Sequence, residues 1–434
     1  MADISKAPFM VVDSGGLYVE VARRLARDAG EVFYVNSWIG EFPKRNEASV
    51  GEGLEGVKVL DSPWGPEFDK VAKNGCFVFL DSYQAKLQDR LEMWKLPVFG
   101  AHGGERLELD RVWCKELLAK LGLPVGPYKV VVGVEALIKE LEKADKEGRK
   151  VHVKVSKFRG YTETFKMWRR LPVQYVLDNM RHVLGAFQWD QEFIVEDDLK
   201  DAVEVAIDFP VTVDGKLPEK AFIGVEVKDR MWVGKWMRVA EMPDVLRLAY
   251  ERLGPTLKRH RYRAPLSLET LLRKENGKVV GYVSDPCCRM PSPGSEAYQE
   301  LENFPQMVWA AAHGELIEGK PPGQFACEYI ITSPWAGTET QDVEIPAKVR
   351  NQVKLHNVVK KGPAKDMYSI PPQDTELCEI GAVVAYGSTR KDAEQAAQRV
   401  GEEVKGHSLS VHSEATGDME DALGKLKAMG LSIF

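Results

Sequence analysis

The chain has 434 residues, 44% of them hydrophobic and 29% charged, with a formal net charge of −6. Such a length exceeds one ordinary core, so two to four domains are expected, and the composition excludes disordered and fibrous classes. The acidic balance, with Lys and Arg scattered along the chain, argues against a global hold on nucleic acid or anionic membrane, while a local basic cleft stays open.

The first hundred residues alternate strand-like and helix-like segments. Phe9 to Val12 is an apolar run that ends at Asp13 and is followed by Ser14-Gly15-Gly16. Leu17, Val21, Leu25 and Ala29 then recur four apart, one face of a helix. Glu31 to Val35, Val57 to Leu60, Cys76 to Leu80 and Val98-Phe99 read as further strands. This alternation predicts a parallel, doubly wound sheet whose ligands sit beyond the carboxyl ends of its strands. In the turn after the first strand the glycines would let a substrate phosphate or carboxylate approach the helix N-terminus; a plain strand-to-helix turn reads equally well.

A second region opens near Glu105. Asp110 reads as the N-cap of a helix from Arg111 to Leu121, stopped by Gly122 and Pro124. Tyr128 to Val132 reads as a strand, Glu135 to Asp145 as an amphipathic helix, and Lys150 to Ser156 as an alternating strand. Phe193 to Val195 is a short strand before Glu196-Asp197-Asp198. Val203 to Phe209 alternates and, through the Asp214-Gly215 turn, pairs as a hairpin with Ala221 to Trp232. Val279 to Val283 leads into Ser284-Asp285-Pro286-Cys287-Cys288-Arg289. Towards the end, Lys360 to Pro372 reads as a surface loop, Gly381 to Thr389 as a strand and turn, and Asp392 to Val404 as a helix. The six cysteines form neither a disulfide framework nor a zinc spacing, so buried reduced thiols are expected. No run reaches the length of a membrane-spanning helix, and a cytoplasmic location is the expectation.

Several residues have the chemistry of a phosphate site. Lys154 lies on the polar side of its strand, either a point charge for phosphate oxygens or a solvated lysine. Directly after it, Lys157-Phe158-Arg159-Gly160-Tyr161-Thr162 combines two cations, a glycine and a hydroxyl, which suits a loop closing over a triphosphate or a plain basic turn. Glu196 to Asp198 would be a hinge touching an adenine edge, and Glu204 a ribose ligand; both also read as solvated acidic strand ends. Asp285 is the best single candidate for a Mg²⁺ ligand, because that ion takes hard carboxylate oxygens together with phosphates. Arg289 would neighbour the γ-phosphate or an acyl phosphate, unless the segment is a structural turn. Asp208 and Glu226 are candidates for a second acidic partner of Asp285. Trp168, Trp232 and Trp236 would stack on a base or fill the core.

Taken in order, these motifs resemble phosphoribosylamine–glycine ligase of the ATP-grasp superfamily over nearly the whole chain. Asp13-Ser14-Gly15-Gly16-Leu17 is similar to that family's opening Ser-Gly-Gly, and Phe99-Gly100 through Leu107 to Lys115 to its entry into the nucleotide domain. The resemblance puts Arg111 in place of the first ATP-contacting Lys, Lys154 on the second, and Lys157 to Thr162 on the Gly-rich loop. It puts Val195 to Leu199 on the adenine hinge and Glu204 on the ribose-contacting Glu. Three motifs depart: Leu17-Tyr18-Val19 follows the glycines, Met231 to Trp236 replaces a Gly-rich substrate loop, and the metal segment keeps only Asp285, with Arg289 shifted by one residue.

The resemblance therefore implies an α/β and α+β multidomain chain with the ATP-grasp fold: a Rossmann-like leading domain (1–104), a nucleotide-binding domain (105–318, with 124–198 as a mobile subdomain) and a small C-terminal closing domain (319–434). It implies an ATP-dependent carboxylate–amine ligase that uses ATP and Mg²⁺ and forms a C–N bond through an acyl phosphate. Arg289, Lys157 and Arg159 would be catalytic; Arg111, Lys154, Gly160, Thr162, Glu196, Asp198 and Glu204 would bind ATP; Ser14, Gly15 and Gly16 would bind substrate; Asp285 would bind metal. The partners expected are a small-molecule carboxylate and amine, with no membrane and a monomer or homodimer. A ligase acting on a modified nucleotide or nucleic-acid base and a non-catalytic ATP-binding protein are the alternatives.

Overall fold

The computed structural model describes residues 3–36, 49–157, 164–167, 170–360, 364–373 and 378–434. The chain divides into two compact units: Met1–Gly104 with Val205–Ser267 and Cys288–Phe434, and Glu105–Glu204 with Leu268–Cys287.

The first unit begins with five parallel strands, β1 (Pro8–Val12), β2 (Glu31–Val35), β3 (Val57–Leu60), β4 (Cys76–Phe79) and β5 (Val98–Phe99), in the order β3-β2-β1-β4-β5. Phe9, Met10 and Val11 have no exposure, because both faces of β1 are covered. That is why the strand reads as an apolar run rather than an alternation. Strand order reverses beside β1, so the crevice beyond the ends of β1 and β4 is the place where a doubly wound sheet binds ligands. Asp13 and Asp81 follow those two strands.

The rest of this unit is antiparallel. Val205 to Asp208 pairs with Phe222 to Val225, Lys220–Val227 with Met231–Arg238, and that strand with Phe325–Thr332. Phe325–Thr332 also pairs with Glu379–Gly387, which pairs with Val353–Leu355. Ala221 to Trp232 is thus not one strand. The polar residues Lys228, Asp229 and Arg230 turn the chain, with Asp229 at φ 61°, and a third strand follows. Nor is Lys360 to Pro372 wholly a loop. Met367–Ile370 pairs with Gln341–Glu344, burying Tyr368 and Ile370 in an alternation that the flanking Gly and Pro residues obscure. Residues 361–363 lie outside the described residues.

The second unit holds an antiparallel sheet of β6 (Tyr128–Val132), β7 (Val151–Val155), β8 (Thr164–Met167) and β9 (Glu192–Asp197), in the order β6-β9-β7-β8. Val151, Val153 and Val155 point into a core shared with Leu137 and Leu141 of the helix Val134–Lys146 and Phe193 and Val195 of β9. Strand alternation then turns His152 and Lys154 to the opposite face. Leu268 to Glu275 and Lys278–Cys287 form a hairpin whose Asn276 and Gly277 have φ 48° and 80°, values for which Asn-Gly is suited.

All six cysteines are buried and free. Among the described residues no helix is long and apolar enough to cross a membrane.

One buried ion cluster ties the leading helix of the first unit to its C-terminal segment. Glu20, in the first turn of Val19–Ala26, lies 2.7 Å from Arg23 and 2.5 Å from Arg350. Burial alone would raise its carboxyl, but Arg23 and Arg350 outweigh it and hold the value near 2 rather than 4.5. A carboxylate depressed on folding contributes stability above its unfolded value and loses it as pH falls through the folded one. Glu20→Gln is therefore expected to cost on the order of 3 kcal/mol at neutral pH. The pH dependence of stability between 4.5 and 2 should also flatten, as urea denaturation across that window would show.

Candidate functional site

In the second unit the helix Arg111–Lys120 starts on Asp110, whose carboxylate accepts the Trp113 N–H at 3.2 Å. Four residues apart, Arg111 and Lys115 share one face of that helix. Each is only 5% exposed, and Lys154 on β7 is 7% exposed. Three buried cations require anions or carbonyls to offset lost hydration. Lys154 Nζ lies 3.5 Å from Glu196 Oε2 and 3.5 Å from Asp285 Oδ2, and donates to the Ser284 carbonyl at 2.8 Å. Lys115 Nζ meets Glu196 Oε1 at 2.6 Å and donates to the Val283 carbonyl at 3.1 Å. Arg111 donates to the Val155 carbonyl at 2.8 Å, and its Nε is 3.8 Å from Asp285 Oδ1.

The electrostatics follow from these distances. Burial opposes charge on Lys154, yet Asp285 and Glu196 raise its ammonium above the ordinary lysine range. Burial likewise opposes charge on Glu196, but Lys154 and Lys115 hold its carboxyl below the usual value. Each group thus holds the other in its charged form.

Of the residues expected to act here, Arg111, Lys154, Glu196 and Asp285 are thus brought together. Asp198 instead accepts from His152 Nε2 at 2.9 Å in the tautomer that carries a proton there. Lys157 leaves β7 at φ 60°, its N–H donating to the Leu109 carbonyl and its exposed Nζ lying 2.7 Å from Glu192. Arg159, Gly160, Thr162 and Trp168 lie outside the described residues. Glu204 and Glu269 each offer a carboxylate oxygen, and the two atoms are within 4.8 Å of one another. Sequence reading missed Lys115 and Glu269. The i, i+4 spacing from Arg111 would have found the first; the second needs the position of the hairpin.

The first unit holds the remaining residues. Asp13 accepts the N–H groups of Gly15 at 3.2 Å, Gly16 at 3.0 Å and Tyr18 at 2.8 Å, and the Tyr34 hydroxyl at 2.8 Å. Burial and the nearby Asp81 push its carboxyl up to about 6. The Ser14-Gly15-Gly16 turn is therefore organised by Asp13, and Gly16 leaves room for Asn357, whose Oδ1 would stand 2.1 Å from any Cβ there. Arg289 donates to the Tyr18 hydroxyl at 3.0 Å, which joins it to the same turn. Trp232 and Trp236 are core residues packed edge-on to Phe222, and the Trp232 indole donates to Asp208. Asp208 is further bound by Ser267 and Tyr298.

No protein-family model and no curated protein matches the sequence. The fold does match solved structures. Phosphoribosylamine–glycine ligase from Thermotoga maritima superposes at TM-score 0.61 with 16% identity, covering 93% of this chain and 99% of that one. The biotin carboxylase domain of 2-oxoglutarate carboxylase from Hydrogenobacter thermophilus, solved with MgADP and bicarbonate, gives 0.63 with 11% identity over 97% and 98%. N5-carboxyaminoimidazole synthetase from Staphylococcus aureus, solved with ADP, gives 0.59 with 13% identity over 92% and 98%. The chain thus has the ATP-grasp fold, as its motif order implies.

The Lys115–Glu196 contact has a measurable consequence. In Lys115→Met the Glu196 carboxylate keeps Lys154 but loses its 2.6 Å partner. Stability at neutral pH should fall by about 3 kcal/mol, the cost of removing one member of a buried pair. Because Glu196 is depressed in the wild type, the loss should be full above pH 4.5 and shrink as pH falls through its folded value, which denaturation at several pH values would reveal.

Proposed function

We propose that this chain is an ATP-dependent carboxylate–amine ligase, similar to phosphoribosylamine–glycine ligase, that works through an acyl phosphate. The observation that carries this reading is the convergence of Arg111, Lys115 and Lys154 on Glu196 and Asp285. Structural likeness to proteins solved with ADP and MgADP supports it. The expected division into a leading, a nucleotide-binding and a closing domain belongs to the same proposal.

Lys154 and Arg111 bind the triphosphate as point charge and fork. Glu196 and Asp198 lie at the adenine end and Glu204 at the ribose; Arg159, Gly160 and Thr162, which the resemblance assigns to the phosphates, lie outside the described residues. Glu204 and Glu269 present hard oxygens that would suit Mg²⁺, and Asp285 is the ligand the resemblance implies; the ion would neutralise phosphate charge. A substrate carboxylate oxygen attacks the γ-phosphorus, ADP leaves, and an amine then displaces phosphate from the acyl phosphate. The protein supplies position and charge neutralisation rather than a covalent intermediate of its own. Arg289 and the Ser14-Gly15-Gly16 turn serve the acceptor half.

A phosphate-release screen over paired carboxylates and amines tests this. Wild type should turn over at least one pair, and Lys154→Ala, if folded by circular dichroism, should lose at least about 100-fold, the scale of one charge-stabilising contact. Turnover that survives the substitution would remove Lys154 from the site.

A further inference from the structure

The crevice beyond β1 and β4 gathers groups that phosphoryl transfer leaves unused. Asn357 donates its N–H to the Gly16 carbonyl at 2.9 Å, bringing His356 beside the Asp13 turn. His356 is 8% exposed. Its Nε2 is 3.5 Å from Glu296 Oε1 and its Nδ1 is 4.0 Å from Glu379 Oε1. Ser292 donates its hydroxyl to the same Glu379 oxygen at 2.9 Å. Behind Glu296, the fully buried Glu328 accepts the N–H groups of Gly294 at 2.8 Å and Ala297 at 2.7 Å. Burial and the adjacent Glu296 push the Glu328 carboxyl well up, and the two side chains are hydrogen-bonded to each other.

The groups form a row, Glu328, Glu296, His356, Glu379, Ser292. Its inner end is fully buried; its outer end reaches solvent, since Ser292 is exposed and the Glu379 side chain is 32% exposed. Asp13 also faces His356, and Asp229 also faces Glu379. Arg289, three residues before Ser292, joins the row's outer end to Tyr18 on the Asp13 turn. A separate feature marks the crevice as a place for a ligand. Ser82, next to Asp81 at the end of β4, is fully buried, and its hydroxyl has no hydrogen-bond partner among the described residues. Asp81 Oδ2 itself comes within 3.5 Å of a Cβ built on Gly15.

We propose that Glu379 and His356 form the site for the acceptor amine: the Glu379 carboxylate holds a primary ammonium and takes its proton, and His356 with Glu296 shares that proton inward. This rests on the ligase reading above and names its nucleophile class. One proton passes from nitrogen to Glu379, and the freed lone pair forms the C–N bond at the acyl carbon. The C–O bond to phosphate breaks, phosphate leaves with the electron pair, and it carries off the second nitrogen proton, giving a neutral amide. Burial raises the Glu379 carboxyl against the pull of His356, making it a stronger base than a surface carboxylate. Burial opposes charge on His356, while Glu296, Glu379 and Asp13 favour it, so the imidazole can hold the proton as cation.

Hydroxylamine separates this step from the chemistry before it, because it is neutral near pH 7.5 and needs no base to attack an acyl phosphate. The probes are hydroxylamine, ammonium, putrescine and the twenty amino acids, with the carboxylate that yields most hydroxamate in wild type. In Glu379→Gln, amide formation should fall about 100-fold while hydroxamate formation stays within about threefold, the signature of a lost general base. The remaining amide rate should climb with pH as the free amine deprotonates in water, and Glu379→Asp should recover part of the rate. His356→Asn should show a smaller loss with the same split. Equal loss of amide and hydroxamate in folded Glu379→Gln, or no loss of either, overturns the proposal and leaves the ligase intact. Wild type that makes hydroxamate but no amide with any of these amines also overturns it. Wild type that makes no hydroxamate at all defeats the ligase reading itself.

Discussion

Three cations buried in one small unit set the terms for everything else. Withdrawing Arg111, Lys115 and Lys154 from water costs on the order of several kcal/mol per ion. Glu196 and Asp285, with the carbonyls of Val155, Val283 and Ser284, offset that cost. A structure that buries charge this way gains less stability than an apolar core of equal volume.

Much of the scaffold was legible in the sequence, for physical reasons. Strands β1 to β5 are covered on both faces or close a covered sheet, and covered strands write themselves as apolar runs. Lys154 was legible because β7 alternates strictly, so a lysine between valines has to face away from their core. Asp110 was legible as a cap because its carboxylate precedes a helix that needs one. What stayed hidden depends on contacts between distant segments. Glu269, His356 and Glu328 look ordinary in their own segments and acquire meaning only from the residues brought against them. The same is true of Tyr18, which stands at an altered motif and meets Arg289, a residue 271 positions later. Strand Met367–Ile370 was hidden differently, by Gly and Pro residues on either side of a short alternation.

The two units divide the chemistry. The cation cluster and the Glu204–Glu269 pair belong to the second, whereas the Asp13 turn, Arg289 and the row from Glu328 to Ser292 belong to the first. Superposition over more than nine-tenths of three solved proteins at 11–16% identity means the scaffold tolerates wide change in the side chains it displays. The acceptor-facing motifs are where this chain departs most. There, Asp13 takes up the Gly15 and Gly16 N–H groups that would otherwise meet a substrate anion, and the surrounding groups are largely acidic.

A calorimetric titration of the intact chain with ATP and with AMP, each in the presence of Mg²⁺, bears most directly on the buried cations. If Lys154 and Arg111 meet the outer phosphates, ATP should bind at least about tenfold tighter than AMP, a difference of about 1.4 kcal/mol. Equal affinity for the two, or no binding of either, would contradict the placement of a triphosphate on this cluster.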